Sequence, residues 1–116
     1  MSLTNEELIQ SFVLGYQQGG NRTGSLHIGK MFAKENNLLR TVLFSYATPI
    51  AVRGYAPCGD LFYLLVDRKF STTTSIHQSK LKQMIANTTA QTIQLNPLAF
   101  KEYLDKQEIT YDNYRF

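Results

Sequence analysis

The feature that most limits how this chain can fold is an unbroken run of six apolar residues, Leu61–Val66. Charged residues bound the run on both sides, and the run is too short for a typical helix. The pattern therefore predicts a strand that is buried on both faces. A chain of 116 residues, 43% of them hydrophobic, is long enough to enclose such a strand in one domain spanning residues 1–116.

Other segments rich in β-forming residues predict the partners of this strand. Leu26 and Ile28 share one face of a short strand, and the segments 41–46 and 50–53 favour extended structure on either side of Pro49. Because proline cannot donate to a central ladder, we expect a bend or bulge between Tyr46 and Ile50. The β-rich centre covers about residues 25–66, and a brief strand is expected at 92–95.

Three helices are predicted around this centre. Thr4 and Glu7 match a capping box, and an apolar stripe follows, so the first helix covers about 4–18 and ends at the glycine pair 19–20. A second helix is expected at about 75–86, beginning near Thr74 or Ser75. A third, at about 97–106, follows Asn96 and a proline in the first helical position. The fold class is therefore α+β: a small antiparallel sheet of three to five strands, flanked by an N-terminal helix and one or two C-terminal helices.

Positive charge is concentrated in the middle of the chain. Positions 22–82 hold nine basic and three acidic residues, a net charge of +6, whereas the whole chain carries +3. A positive surface favours polyanions such as nucleic acid, because binding them releases counterions. The alternative is that these charges are scattered over several faces and only keep the protein soluble.

The sequence offers no recognisable catalytic or metal-binding constellation. Cys58, His27 and His77 are isolated from one another, whereas zinc needs three or four ligands. A Cys58–His77 pair is disfavoured, since Asp60 would raise the pKa of the thiol and His77 shares an apolar helical stripe. We therefore predict no enzyme, no metal and no cofactor. No apolar run is long enough to span a membrane, and no secretory signal is visible, so we expect a cytoplasmic protein.

Five consecutive hydroxyl side chains, at positions 71–75, mark a more promising segment. They follow Lys69 and Phe70 and precede the second helix, and Lys80 and Lys82 lie within its first turns. Free amides at a helix N-terminus make an anion site. The alternative is that the hydroxyls only cap the helix and satisfy a turn.

Two stretches of this region, residues 45–53 and 69–81, together resemble a family of small uncharacterised proteins of phages, plasmids and other mobile elements. The family pattern is Ser-Tyr-x-Thr-Pro-Ile-Ala-x-Arg, a short hairpin, and then Lys-Tyr-Ser-x-Thr-Thr-Ser-x-His-Gln. The similarity covers about residues 25–82. Phe70 replaces the tyrosine of the pattern, residues 30–39 look like an insertion, and the loop at 55–59 is longer. The resemblance implies a shared fold element and a mobile-element context, but no mechanism.

From these observations we expect a non-enzymatic module that binds nucleic acid through phosphate contacts and, at Tyr46 or Tyr55, base stacking. The alternative is a protein-interaction or self-assembling module in which the aromatic residues Tyr111, Tyr114 and Phe116 contact a protein partner or a second copy. The candidate ligand-binding residues are Tyr46, Thr48, Arg53, Lys69, Ser71, Thr73, Thr74, Ser75, His77, Gln78, Lys80 and Lys82.

Overall fold

The computed structural model describes residues 4–16, 19–20, 26–33, 39–46, 48–55, 59–67, 72–86, 88, 90–105 and 107–109. Within them lie three helices, α1 (Asn5–Leu14), α2 (Thr72–Ile85) and α3 (Pro97–Asp105). The strands are β1 (Gly19–Gly20), β2 (Leu26–Ala33), β3 (Leu39–Ser45), β4 (Thr48–Tyr55), β5 (Leu61–Val66), β6 (Gln91–Leu95) and β7 (Gln107–Ile109). The predicted α+β class, with one N-terminal and two later helices, is confirmed.

The sheet is larger than predicted, and it is mixed. Its strands follow the order β1-β2-β3-β4-β5-β6, and β7 pairs with β2 beside β1. All neighbouring strands are antiparallel except β5 and β6, which are parallel. Between these two strands, α2 returns the chain so that β6 begins beside the beginning of β5 and runs in the same direction. The prediction of three to five antiparallel strands was therefore too low in number, and it was wrong in direction for the β5–β6 pair alone among the described strands. It missed β1, a pair of glycines without an alternation pattern, and β7, which has only three residues.

Local sequence signals explain where α1 begins and ends. The Thr4 hydroxyl accepts from the amide of Glu7, and the Glu7 carboxylate accepts from the amide of Thr4, so the predicted capping box is confirmed. The helix ends at Gly15, which adopts a left-handed conformation at φ 95°. It does not continue to Gly19–Gly20 as predicted, because Gly15 supplies the terminating conformation four residues earlier.

The β3–β4 hairpin contains the irregularity expected around Pro49. Tyr46 begins a two-residue connection between Ser45 and Thr48 and has a positive φ of 57°. Leu43 pairs with Ala51 but Phe44 pairs with Pro49, so one additional residue lies in β4 between these pairs. A β-bulge of this kind accommodates the proline without interrupting the sheet.

Helices cover both faces of the sheet. Thr41 pairs with Arg53 and shares its face, and the Arg53 side chain bonds to a carbonyl group of α1. Arg40 precedes Thr41, lies on the opposite face and donates to Tyr103 of α3. Ser45 lies on the face of Thr41 and bonds to α2. Thus α1 and α2 cover one face and α3 covers the other, so β5 is buried from both sides as predicted.

The packing of the helices follows their apolar stripes. Leu8, Ile9 and Phe12 of α1 are fully buried, as are Phe100 and, to within 1%, Leu104 of α3. None of the helices in the described part of the chain is long and apolar enough to cross a membrane.

Candidate functional site

The structure brings the two motif stretches together through three buried polar side chains. The hydroxyl of Ser45, at the end of β3, lies 2.8 Å from the Thr74 hydroxyl and 3.0 Å from Nδ1 of His77. Ser45 and His77 are each 1% exposed, and Thr74 is 4% exposed. We call these three residues the polar lock. They hold the first two turns of α2 against the end of the β3–β4 hairpin.

A serine hydroxyl beside an imidazole suggests nucleophilic catalysis, but the polar lock lacks two requirements for it. Burial excludes a substrate from Ser45. The side-chain amide nitrogen of Asn5, Nδ2, lies 3.5 Å from Nε2 of His77. If this nitrogen donates, Nε2 accepts and the neutral ring carries its proton on Nδ1, facing Ser45. His77 is then a donor to Ser45 and not the base that activates it.

Electrostatics agree with a neutral imidazole in the polar lock. Burial lowers the pKa of His77, and the positive charge of Lys80 lowers it further. Lys80 itself lies 3.6 Å from the Glu6 carboxylate of α1, in a partly exposed ion pair. His77 is therefore a packed, hydrogen-bonded part of the α1–α2 interface.

The start of α2 differs from the predicted one. The helix begins at Thr72, so Thr74 and Ser75 lie inside its first turn and do not precede it. Thr74 bonds to the sheet, and the Ser75 hydroxyl is buried with no hydrogen-bond partner in the described part of the protein. Within the described part of the run, Thr74 and Ser75 therefore have buried hydroxyls inside α2 and do not cap its N-terminus.

The remaining candidates of this segment are dispersed. Tyr46 is 53% exposed at the hairpin turn, and Thr48 beside it is half-buried. Gln78 donates to the carbonyl of Val66, and Lys82 is exposed on α2. Lys69, Ser71 and the side chain of Thr73 lie outside the described residues, as do Cys58 and the aromatic residues of 111–116.

Arg53 lies at the other end of the same hairpin. It pairs with Thr41, which lies four positions before Ser45 in β3, about 13 Å away at ~3.3 Å per residue. Nε of Arg53 donates to the carbonyl of Val13 at 3.2 Å, and the Tyr63 hydroxyl donates to the same oxygen at 3.0 Å. These bonds satisfy one of the free carbonyls at the C-terminus of α1, where a positive charge also complements the helix dipole.

A cavity of about 260 Å³ opens beside this guanidinium. We call it the Arg53 pocket, and its lining residues are Leu14, Gly15, Arg40, Thr41, Arg53, Gly54 and Tyr55. No carboxylate is among them. The Thr41 hydroxyl is buried, and it has no hydrogen-bond partner among the described residues.

One exposed aromatic side chain, Tyr55, lines the pocket, and a second, Tyr16, follows the lining residue Gly15 in the chain. The Arg53 guanidinium lies 5.5 Å from the ring centroid of Tyr55, which is 50% exposed. Tyr16, just after Gly15, is 59% exposed. A cation without an acid partner beside exposed rings can contact both a phosphate and a base. Sequence reasoning singled out Arg53 and Tyr55 but missed Thr41, which the pairing of β3 with β4 places beside Arg53. It also missed Tyr16, which follows the end of α1.

Arg40 borders the Arg53 pocket but belongs to the opposite face of the sheet. Its guanidinium lies between the rings of Phe62 and Tyr103, at 5.4 and 5.7 Å from their centroids, and donates to the Tyr103 hydroxyl. It is 8% exposed, and its Nε has no hydrogen-bond partner within the described ranges. Arg40 therefore adds positive charge to this end of the sheet from the face opposite Arg53.

Histidines and acids do not converge on a metal site in the described part of the chain. His27, which is half-buried, stacks on Phe44 with ring centroids 4.7 Å apart, in the β2–β3 ladder. His77 belongs to the polar lock.

Comparison of the chain with protein-family models, with curated proteins and with solved structures finds no match. The resemblance of the two motif stretches to the mobile-element family stays a prediction. What the fold itself adds is that these stretches meet at the polar lock.

Proposed function

We propose that this protein is a non-enzymatic module that binds nucleic acid, and that the Arg53 pocket with Tyr55 and Tyr16 is its contact surface. The observation that carries the proposal is that the Arg53 guanidinium lies beside the exposed ring of Tyr55. No carboxylate among the described residues forms an ion pair with this guanidinium. A role as an accessory module of a mobile element rests on the motif resemblance alone.

The cavity and the exposed ring beside Arg53 favour this end over the predicted α2 site, where Lys82 is the exposed cation among the described residues. Lys80 is paired with Glu6, and the polar lock is sealed from solvent. At the Arg53 pocket, by contrast, the guanidinium supplies charge to a phosphate, and Tyr55 and Tyr16 supply ring faces to bases. Exposed rings select single strands, because the bases of a duplex are already stacked.

The test is fluorescence anisotropy with labelled single- and double-stranded oligonucleotides over a salt series. We expect single strands to bind more tightly, with an affinity that falls log-linearly with salt at a slope of about −0.7 per phosphate contact. Absence of binding to either oligonucleotide at low salt would contradict the proposal.

Three variants locate the surface. Tyr55→Ala should weaken binding by about 5- to 150-fold, since stacking on an aromatic ring contributes about 1–3 kcal/mol per base. Tyr46→Ala is the matched control, because that ring is equally exposed at the opposite end of the hairpin. If the double variant Lys80→Glu/Lys82→Glu abolished binding while Tyr55→Ala left it unchanged, the surface would be the predicted one on α2 and not the Arg53 pocket.

A further inference from the structure

Strand β6 forms an open edge of the sheet. Among the described strands it pairs only with β5, and β5 lies on one side of it. Four of its five residues, Gln91 to Gln94, are exposed, including Ile93 at 37%. An edge of this kind presents unpaired backbone donors and acceptors to another strand.

The hydrogen bonds of β6 show which of its backbone groups point outwards. The carbonyl of Leu95 accepts from the amide of Asp67, directly after β5, at 2.7 Å. In a parallel ladder the N–H and C=O of one residue point to the same side, and successive residues alternate. Ile93 therefore faces β5 with Leu95, whereas Thr92 and Gln94 direct their N–H and C=O away from the sheet.

Within the described part of the chain, this short edge lacks charge, proline and a bulge. Positions 83–100 contain no charged residue, and the strand itself contains no proline. Its pairing with β5 runs in continuous register without a bulge. Natural edges are commonly blocked by lysine, proline or a bulge.

We propose that two copies of this chain associate through β6, antiparallel and related by a two-fold axis at Ile93. Thr92 of one copy then lies opposite Gln94 of the other, and their outward N–H and C=O groups bond reciprocally. Ile93 lies opposite its own copy as a non-hydrogen-bonded pair, with Cα atoms about 4.5 Å apart, so that the two exposed side chains cover each other.

The neutrality of the edge argues for a second copy as the occupant. A two-fold axis at Ile93 pairs the strand with an identical strand, so a charged edge strand would meet like charge, and this one does not. The chain as a whole carries +3, so two copies repel each other weakly. Salt screens that repulsion and should strengthen the dimer, whereas it weakens nucleic-acid binding.

Sedimentation equilibrium of the whole chain over a concentration series tests the proposal. We expect a mass approaching twice the 13.3 kDa of one chain. Ile93→Lys should raise the dissociation constant at least about tenfold, because it places two lysines directly opposite each other. Gln10→Lys, at an exposed position on α1, adds the same charge away from the edge and should leave the dimer intact.

A second variant separates disrupted pairing from disrupted folding. Gln94→Pro removes only an outward N–H, so the ladder to β5 keeps its bonds while the dimer loses a donor from each copy. Far-ultraviolet circular dichroism checks that both variants fold. A single-chain mass at every concentration would overturn the proposal. So would a dimer that persists in folded Ile93→Lys and Gln94→Pro, since the interface would then lie elsewhere, as at the aromatic residues of 111–116. Neither result bears on the Arg53 pocket.

Discussion

Replacing Ser45 by alanine tests whether the polar lock is structural. Ser45 is 1% exposed and bonds to both Thr74 and His77. Removing one partner of a buried polar group costs about 1–3 kcal/mol, because that group keeps its desolvation penalty. Two bonds are lost here, and Thr74 has a further interaction, so we expect a loss of about 2–4 kcal/mol.

A loss of this size is large for a chain of 116 residues, whose unfolding free energy we expect to be about 6–17 kcal/mol. At roughly 4 °C per kcal/mol, the midpoint of thermal unfolding should fall by about 8–16 °C. Urea denaturation followed by circular dichroism gives the free energy directly. Ser79→Ala is the matched control, since Ser79 is exposed on the same helix and should change stability by less than about 0.5 kcal/mol.

The two interpretations of Ser45 make opposite predictions. If Ser45 were a nucleophile with no structural role, Ser45→Ala would have an unfolding free energy close to that of Ser79→Ala. That result would refute the structural interpretation. A double-mutant cycle with Thr74→Val adds a second check. Replacing both partners by apolar groups removes the unsatisfied hydroxyl, so the double variant should be less destabilised than the two single changes added together.

Two further predictions concern other positions of the fold. Burial lowers the pKa of His77 and of His27 in the folded state, so the unfolded chain binds more protons below pH ~6.5. The free energy of unfolding should therefore be highest above that pH and should fall as the pH drops towards the folded pKa values. In urea titrations at several pH values, His77→Gln should make the free energy of unfolding less dependent on pH. The same pH dependence in the variant and in the original protein would contradict this prediction. Gly15→Ala should lower the free energy of unfolding by roughly 1 kcal/mol more than Gly59→Ala. Both glycines have a positive φ, but only at Gly15 would the new Cβ lie 2.8 Å from the Arg53 guanidinium, which its bond to the carbonyl of Val13 holds in place. Equal losses in thermal melts would show that the guanidinium moves aside freely.

Local signals in the sequence were enough to predict most elements of the fold. The capping box of Thr4 and the Asn96 cap, whose side chain accepts from the amide of Ala99, act within one helical turn. Periodicity identified the apolar face of α1, and the unbroken run identified β5. These features depend on neighbours three or four residues away, so the sequence reveals them directly.

The features that were missed depend on distant neighbours. Whether β6 runs parallel or antiparallel to β5 depends on where α2 returns the chain. The sequence of a five-residue strand does not indicate the direction in which the strand pairs. Ser45 was part of a recognised motif but was not selected, because its partners lie 29 and 32 residues away. Asn5, near His77 from the other helix, is 72 residues away in sequence and gave no signal at all.

Arg53 shows why residue type alone did not determine the site. Arg53 was predicted as a ligand-binding residue together with residues of the hydroxyl run at 71–75. The hairpin instead directs β4 away from that run, so Ser45 and Arg53 lie at opposite ends of it and act separately. Ser45 fixes α2, whereas Arg53 bonds to the carbonyl of Val13 through Nε alone. In the described part of the protein its terminal nitrogens have no carboxylate partner, so a structural bond and an anion contact are compatible in one guanidinium. The same bond also fixes the orientation of the group beside Tyr55, which reduces the entropy that a ligand would otherwise lose on binding.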